Sequence, residues 1–249
     1  MIIIKSDQQI EYMKRAGKVV GDTLARIEEI IKPGITTVEI DKLAEEIILK
    51  QGAKPSFKGY SGFPASICAS VNDEVVHGFP DTRILQEGDI VSIDCGAMLN
   101  GYHGDAARTF GVGNISRDAA KLIQVTEDSF FQGFKQAIIG NRLTDISHEI
   151  QRYVESFGFS VVRDYVGHGI GRSIHEEPEI PNFGRPGRGP RLVRGMVLAI
   201  EPMVNMGKYN VKTLQNEWTV ITDDGSLSAH YENTIVILEE GPEILTMSK

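Results

Sequence analysis

Two segments of this chain run from a glycine through an apolar strand into a carboxylate. They are Gly88-Asp-Ile-Val-Ser-Ile-Asp94 and Gly195-Met-Val-Leu-Ala-Ile-Glu201. In each the acid sits six residues after the glycine, and the two glycines are 107 positions apart. An ionised carboxylate at the end of a buried run is costly unless something pairs it. Two at matching positions point to a site built between two copies of one unit. The match continues upstream: Gly34–Gly52 and Gly140–Gly158 have the same length, and Ile40 aligns with Ile146 and Ile48 with Val154, an offset of 106. Two copies at so long a period exclude a solenoid. The expectation is a single domain over 1–249 made of two similar halves, about 1–112 and 115–240, joined near Gly111-Val-Gly-Asn.

A chain of 249 residues can bury a full core. Its net charge of -8 argues against sequence-independent nucleic-acid binding, which needs a basic face. No apolar run is long enough for a membrane helix. Met1-Ile-Ile-Ile-Lys runs at once into charged residues, unlike a signal peptide. Cys68 and Cys95 lack CxxC spacing and read as two reduced thiols in a cytoplasmic protein.

Ser6 with Gln9, and Thr36 with Glu39, read as capping boxes opening two helices. The first carries Ile10, Met13, Val20, Leu24, Ile27 and Ile31 at helical spacing; the second stops at Gly52. Ser116 opens a third helix expected to reach Gly140, and a fourth is expected from about Thr144 to Phe157. Strand-like runs lie at 66–70, 89–94, 104–110, 197–201, 218–222 and 232–238. Helices followed by hairpins, twice, give an α+β fold with helices on a mostly antiparallel sheet. The Gly-, Pro- and Arg-rich stretch Pro181–Arg194 reads as an exposed loop and a candidate site entrance, and Glu176 and Glu177 read as surface acids.

Asn100-Gly101 is a two-residue hairpin signal. With the turn there, Asp94 faces Ala107, and Asp105 is its diagonal neighbour on the same face. Two carboxylates so placed suit either acid/base catalysis or a metal pair. His168 in Gly167-His-Gly-Ile-Gly, His175 in Ile174-His-Glu-Glu-Pro, Glu201 before Pro202, Glu232 in Ala229-His-Tyr-Glu-Asn and His77 in Val75-Val-His-Gly are further candidates, each weak alone.

Taken together, Val71-Asn-Asp-Glu-Val-Val-His-Gly, Asp94 with Asp105, Gly167-His-Gly-Ile-Gly-Arg with His175-Glu-Glu-Pro, Ala199-Ile-Glu-Pro-Met and Tyr231-Glu-Asn-Thr resemble the type I methionine aminopeptidases of the short bacterial kind. The resemblance spans nearly the whole chain and implies the pseudo-two-fold "pita-bread" fold. It implies two divalent metal ions, one chelated by Asp94, the other by His168 and Glu201, both bridged by Asp105 and Glu232. Four carboxylates in one pocket repel one another, and two divalent cations offset that charge. An oxygen-rich set with one imidazole and no thiolate suits Mn, Fe(II) or Co, with zinc compatible.

The implied reaction is removal of the N-terminal methionine from nascent polypeptides with a small second residue, by attack of a metal-bridging water or hydroxide. Glu201 would also shuttle the proton, His175 would bind the scissile carbonyl, and His77 would contact the peptide nitrogen. Tyr60, Phe63, Cys68 and Trp218 would form the methionine pocket. Phe63 stands where relatives often carry Tyr, Ile174 where they often carry Phe, and Phe57 in place of a smaller residue. A monovalent-cation site would use Asn72, Glu74 through its backbone, and Ser228. The expected partner is the nascent N-terminus, with the ribosome a further candidate, no membrane and a monomeric state. The runner-up is an Xaa-Pro peptidase, which usually carries a large extra N-terminal domain; a non-catalytic relative would lack ligands, and here none is lost.

Overall fold

The computed structural model describes residues 1–248. Its element order repeats. First come helices α1 (Asp7–Glu28) and α2 (Thr37–Lys50), then strands β1 (Lys54–Pro55), β2 (Ile67–Val71), β3 (Glu74–Val76), β4 (Ile90–Leu99) and β5 (Tyr102–Gly111). Helices α3 (Arg117–Phe134) and α4 (Leu143–Glu155) then precede β6 (Ser160–Val161), β7 (Gly167–Gly169), β8 (Glu176–Ile180), β9 (Val197–Ile200) and β10 (Met203–Asn205). The order ends with β11 (Val211–Thr213), β12 (Val220–Thr222), β13 (Ser228–His230), β14 (Asn233–Leu238) and β15 (Gly241–Ile244).

The helix starts follow the local chemistry. The Ser6 hydroxyl accepts from Gln9 N while the Gln9 side chain accepts from Ser6 N, and Thr36 and Glu39 do the same for α2. The Ser116 hydroxyl accepts from Ala119 N. Helix α3 stops at Phe134, short of the expected Gly140. Gln136 N and Ala137 N donate to carbonyls three residues back, and Gly140 N is taken by Leu192 O at 3.1 Å. The tightened turn and the remote partner end the helix.

Besides two three-stranded sheets, β13-β10-β6 and β11-β12-β3, the strands form a four-stranded sheet in which β4 pairs with β1, β2 and β5 and a five-stranded sheet β15-β14-β9-β7-β8, and the pairs within these last two are antiparallel. Helix α1 packs across β4 and β5, and α3 against α4. Each half buries its own apolar cluster: Val20, Ile27, Ile40 and Ile93 in the first, Phe130, Ile146, Leu198 and Ile235 in the second. A third cluster draws on both, with Met13 beside Phe63, Ile174 and Val236.

The same backbone links recur in the two halves. Thr36 bridges Ile84 as Arg142 bridges Arg191. Gly34 N donates to Leu85 O at 2.9 Å as Gly140 N does to Leu192 O. Gly88 and Gly195 enter their strands with φ of 92° and 84°, a region that favours glycine. The recurrence also shows what Pro181–Arg194 does. Leu143 N donates to Pro190 O at 3.0 Å and Thr144 N to Arg188 O at 3.3 Å, just as Thr37 N and Val38 N donate to Arg83 O and Asp81 O. The stretch satisfies the free N–H groups of the first turn of α4. It is not the expected site entrance, since none of its residues lines the functional cavity.

The two sheets meet where β5 runs beside the start of β14. Ala107 and Glu232 exchange both main-chain hydrogen bonds, at 3.3 and 3.0 Å. Thr234 Oγ1 accepts from Asp105 N and donates to Asp105 O, both at 2.9 Å. Thr234 is fully buried. Thr234→Val keeps its shape and strands both main-chain groups of Asp105. The expected loss is about 1–3 kcal/mol of unfolding free energy in urea titrations; no loss would mean that the seam is held elsewhere.

Candidate metal centre

The Asn100-Gly101 turn has φ of 54° and 76°, as a type I′ hairpin requires. The ladder is in the expected register: Asp94 faces Ala107 and Gly96 faces Asp105, so both carboxylates share a face. On the other side Cys68 pairs with Asp94, which places the thiol beside that carboxylate. In the second sheet His168 pairs with Ala199, two residues before Glu201. Glu232 arrives from the seam with Ala107.

These side chains converge on one cavity of about 170 Å³. Asp94, Asp105, His168, Glu201 and Glu232 form its polar end, with His77 and His175 beside them. Tyr60, Phe63, Cys68 and Trp218 form its apolar wall, joined by Phe57. Single donor atoms of Asp105, His168 and Glu232 all lie within 4.8 Å of one another. His168 Nε2 is 3.6 Å from Glu201 Oε1 and 3.9 Å from Asp105 Oδ2.

Nδ1 of His168 lies 2.9 Å from Gly169 O. A carbonyl only accepts, so Nδ1 carries the proton and Nε2 offers a lone pair. Burial holds the ring neutral, its pKa pushed down to about 4. An acceptor nitrogen thus faces acceptor oxygens across gaps too long for hydrogen bonds. Asp94 Oδ1, Asp105 Oδ1 and Glu232 Oε1 are buried with no hydrogen-bond partner. Orphaned acceptors converging on one point are what a cation cage presents, and the residues fit a divalent metal.

The same crowding shifts the titrations. Burial raises Asp94 to about 7, against hydrogen bonds from Asp105 and Cys95 N that lower it. Burial, then the charges of Asp94 and Glu201, push Asp105 well above the usual carboxylate range. Burial and neighbouring acids do the same to Glu201 and Glu232. Burial brings His77 down to about 4 and lowers His175. Burial and nearby carboxylates push the Cys68 thiol far up, which leaves it a wall and not a nucleophile.

Around this centre, His175 Nδ1 lies 2.8 Å from the Tyr60 hydroxyl, and its ring centroid is 4.4 Å from that of His168. Phe63 packs edge-on against Trp218 with centroids 5.2 Å apart. Ile174 joins the same apolar cluster without lining the cavity. Asn72, Glu74 and Ser228 lie outside the cavity. Asn72 O accepts from Ser228 N at 2.9 Å, while the Glu74 carboxylate is engaged by Val71 N and Arg83.

Phe57, which the sequence marks as standing in place of a smaller residue, lines the cavity. One residue escaped the sequence reading. His230 is 2% exposed, its Nε2 is without a partner, and it lies 3.7 Å from Glu201 Oε2. Its signal was its place two residues before Glu232. Another residue departs from expectation: Glu177 is exposed, but the Glu176 carboxylate is buried against Lys5. The cation that buries it comes from 171 positions away, which local sequence does not reveal.

A sequence profile of metallopeptidase family M24 matches residues 11–239. The chain belongs to this family. Among its M24 relatives, a methionine aminopeptidase of Clostridium acetobutylicum is 68% identical over 99% of both chains. The crystal structure of a methionine aminopeptidase from Thermotoga maritima superposes with a TM-score of 0.98 at 49% identity, covering 100% of both. An Xaa-Pro dipeptidase of Bacillus anthracis shares the fold at a TM-score of 0.79 and 25% identity, covering 99% of this chain and 62% of its own. The fold is the pseudo-two-fold pita-bread arrangement of M24, helices on mostly antiparallel sheets.

Metal-free protein should carry a pH signature. Its raised carboxyls hold protons that the unfolded chain has released, so they make stability fall as pH rises toward and through their folded values. The lowered imidazoles oppose this below about pH 6.5, where unfolded histidine is protonated and the buried rings are not. Above that pH only the carboxyls act. The Tm of chelator-treated protein is expected to fall between pH 6.5 and pH 8, and saturating Mn to abolish the fall, because loading requires ionised ligands. A flat profile in chelator would contradict the raised values.

Proposed function

We propose that the protein removes the N-terminal methionine from nascent polypeptides whose second residue is small, as a metal-dependent aminopeptidase. The observation that carries this is one cavity with metal-ligand chemistry at one end and an apolar wall at the other. At about 170 Å³ it is smaller than a drug-sized pocket. It takes one residue rather than a length of chain, which favours action at a terminus. We assign the whole chain to one catalytic domain of two similar halves, about 1–112 and 115–240, on the recurring backbone links and the apolar cluster of each half.

Asp94, Asp105, His168, Glu201 and Glu232 would hold two divalent ions, with Asp105 and Glu232 shared. The donor set favours Mn, Fe(II) or Co and is compatible with zinc. When bound, the metal polarises the carbonyl and lowers the pKa of water so that it is nucleophilic at neutral pH.

The chain's own groups do the rest. Phe63, Cys68, Trp218 and Tyr60 bind the methionine side chain. With the Tyr60 O–H donating to His175 Nδ1, Nε2 carries the proton and donates to the scissile carbonyl oxygen as negative charge grows there. The Glu201 carboxylate takes the proton of the attacking water and passes it to the leaving nitrogen. His77 is neutral at physiological pH and positions that nitrogen. Asn72, Glu74 through its backbone, and Ser228 would hold a monovalent cation. The proposed setting is a monomer in the cytoplasm, acting on chains as they leave the ribosome. Among the described residues no helix is long and apolar enough to cross a membrane.

Substrate choice tests the reading. Met-Ala-Ser is expected to be cleaved, Met-Lys-Ser slowly, and Xaa-Pro peptides not in preference to them. Leucine or norleucine at the first position should be disfavoured only modestly, by about 1–3 kcal/mol per methylene. Equal cleavage of Met-Lys-Ser would refute the small-residue rule, and a general Xaa-Pro preference would reassign the enzyme. Chelator should abolish turnover and Mn, Co or Fe(II) restore it; activity in protein shown metal-free by elemental analysis would overturn the metal requirement.

Roles are tested by substitution. Glu201→Gln removes a ligand charge and the proton carrier, and nearly all turnover should go. His77→Ala should lower turnover while metal content holds. An emptied metal site with normal activity per bound metal would show that His77 acts as a ligand.

A further inference from the structure

The turn that carries His175 is held from outside the metal centre. The carboxylate of the next residue, Glu176, turns inward. Its Oε2 is 2.5 Å from Lys5 Nζ, and the two side chains are 8% and 3% exposed. Its Oε1 accepts from Arg172 N at 2.8 Å and from Ser173 N at 3.3 Å. Lys5 is fixed in turn: its N–H donates to Gly195 O at 2.8 Å and its ammonium to Ile3 O at 3.1 Å. The packing leaves no slack, since a Cβ on Gly171 would lie 2.6 Å from both Glu176 Oε1 and Lys5 Cε.

A buried ion pair is weak grounds for stability, because desolvation offsets the attraction. What this one does constrain is the backbone beneath a working side chain. The His175 side chain reaches the cavity, yet the hydrogen bond to its ring comes from the hydroxyl of Tyr60, itself 43% exposed. Residues 172, 173 and 176 are tied together by the Glu176 carboxylate and anchored through Lys5. Neither Lys5 nor Glu176 lines the cavity.

We propose that Lys5 and Glu176 are positioning residues for His175: the ion pair locks the 171–176 turn so that the imidazole stays over the metal centre. The inference rests on the catalytic reading of His175. It gives the segment ahead of α1 a part in turnover.

The test uses the metal-loaded full chain with Met-Ala-Ser as substrate. Lys5→Met, Lys5→Arg and the double variant Lys5→Met/Glu176→Gln are made alone and on His175→Ala. Measured are kcat, KM, bound metal and Tm. Lys5→Met and the double variant are expected to lower kcat about ten- to hundredfold, the scale of a small misplacement of a reacting group. Bound metal should be unchanged, and Lys5→Arg should restore most of the rate. On His175→Ala the same changes should alter kcat less than about twofold, because nothing is left to position.

Equal losses in both backgrounds, or loss of bound metal, would overturn the proposal. If Lys5→Met does not fold, the double variant decides, since it leaves no lone charge buried. A double variant that also fails to fold makes the pair a fold determinant and overturns the proposal too. A His175→Ala enzyme with normal kcat would instead sink the catalytic reading of His175. A slow His175→Ala enzyme beside fast Lys5 and Glu176 variants would sink only this inference.

Discussion

The site depends on the seam at which Ala107 meets Glu232 and Asp105 meets Thr234. Each sheet has its own apolar cluster, so burial alone would stabilise the halves without fixing how they meet. The main-chain and hydroxyl hydrogen bonds of the seam, together with the Thr109 hydroxyl that accepts from His230 N and donates to His230 O, fix the register. Side chains alternate along a strand, so a slip of one residue at β5 would turn Asp105 away from the cavity. Correct register therefore brings two carboxylates into one buried place. Apolar packing and seam hydrogen bonds stabilise the assembly, while the acids oppose it unless they are protonated or share a cation. Fold and metal binding are thus linked through the same residues.

Much of this was legible in the sequence because it is local or periodic. Capping boxes at Ser6 and Thr36 depend on residues three apart. The Asn100-Gly101 turn fixes the register of ten-residue strands on either side, and with it the shared face of Asp94 and Asp105. The paired carboxylate strands mark a centre between two halves. What was not legible depends on partners far away in the chain. Gly140 ends a helix connection because Leu192 takes its N–H. Pro181–Arg194 caps α4, a role readable only from its counterpart at 81–83. Glu176 looks like a surface acid because its cation lies at the opposite end of the chain. His230 stood in view two residues before Glu232, but proximity to Glu201 is a property of the closed structure.

The repeat builds a symmetric frame, and the departures from symmetry carry the chemistry. Asp94 and Glu201 occupy matching positions six residues after Gly88 and Gly195, one methylene apart in side-chain length, Asp94 within β4 and Glu201 just past β9. A symmetric cage would offer the same donors on both sides. Instead the second half adds His168, whose neutral Nε2 faces Glu201, while the corresponding stretch of the first half is the turn around Ser61 that presents Tyr60 to the cavity. In the proposed arrangement one metal position is therefore all oxygen and the other has an imidazole.

In the proposed reaction the same asymmetry would fix where the peptide enters and which group answers it. The apolar wall comes mainly from the first half, through Tyr60, Phe63 and Cys68, with Trp218 from the second. His77 lies on the first half, at a left-handed φ of 59°, a conformation that a side chain-bearing residue holds only when its surroundings impose it. His175 comes from the second half and meets Tyr60 of the first. In the proposed arrangement a methionine seated against the wall would have its peptide bond between two imidazoles from different halves. Burial lowers the pKa of both, so each can serve as a neutral hydrogen-bonding group at physiological pH without adding positive charge beside the metals. Charged rings there would compete with the cations for the carboxylates. The low dielectric that burdens the acids thus keeps the histidines in the neutral state that the proposed reaction would use.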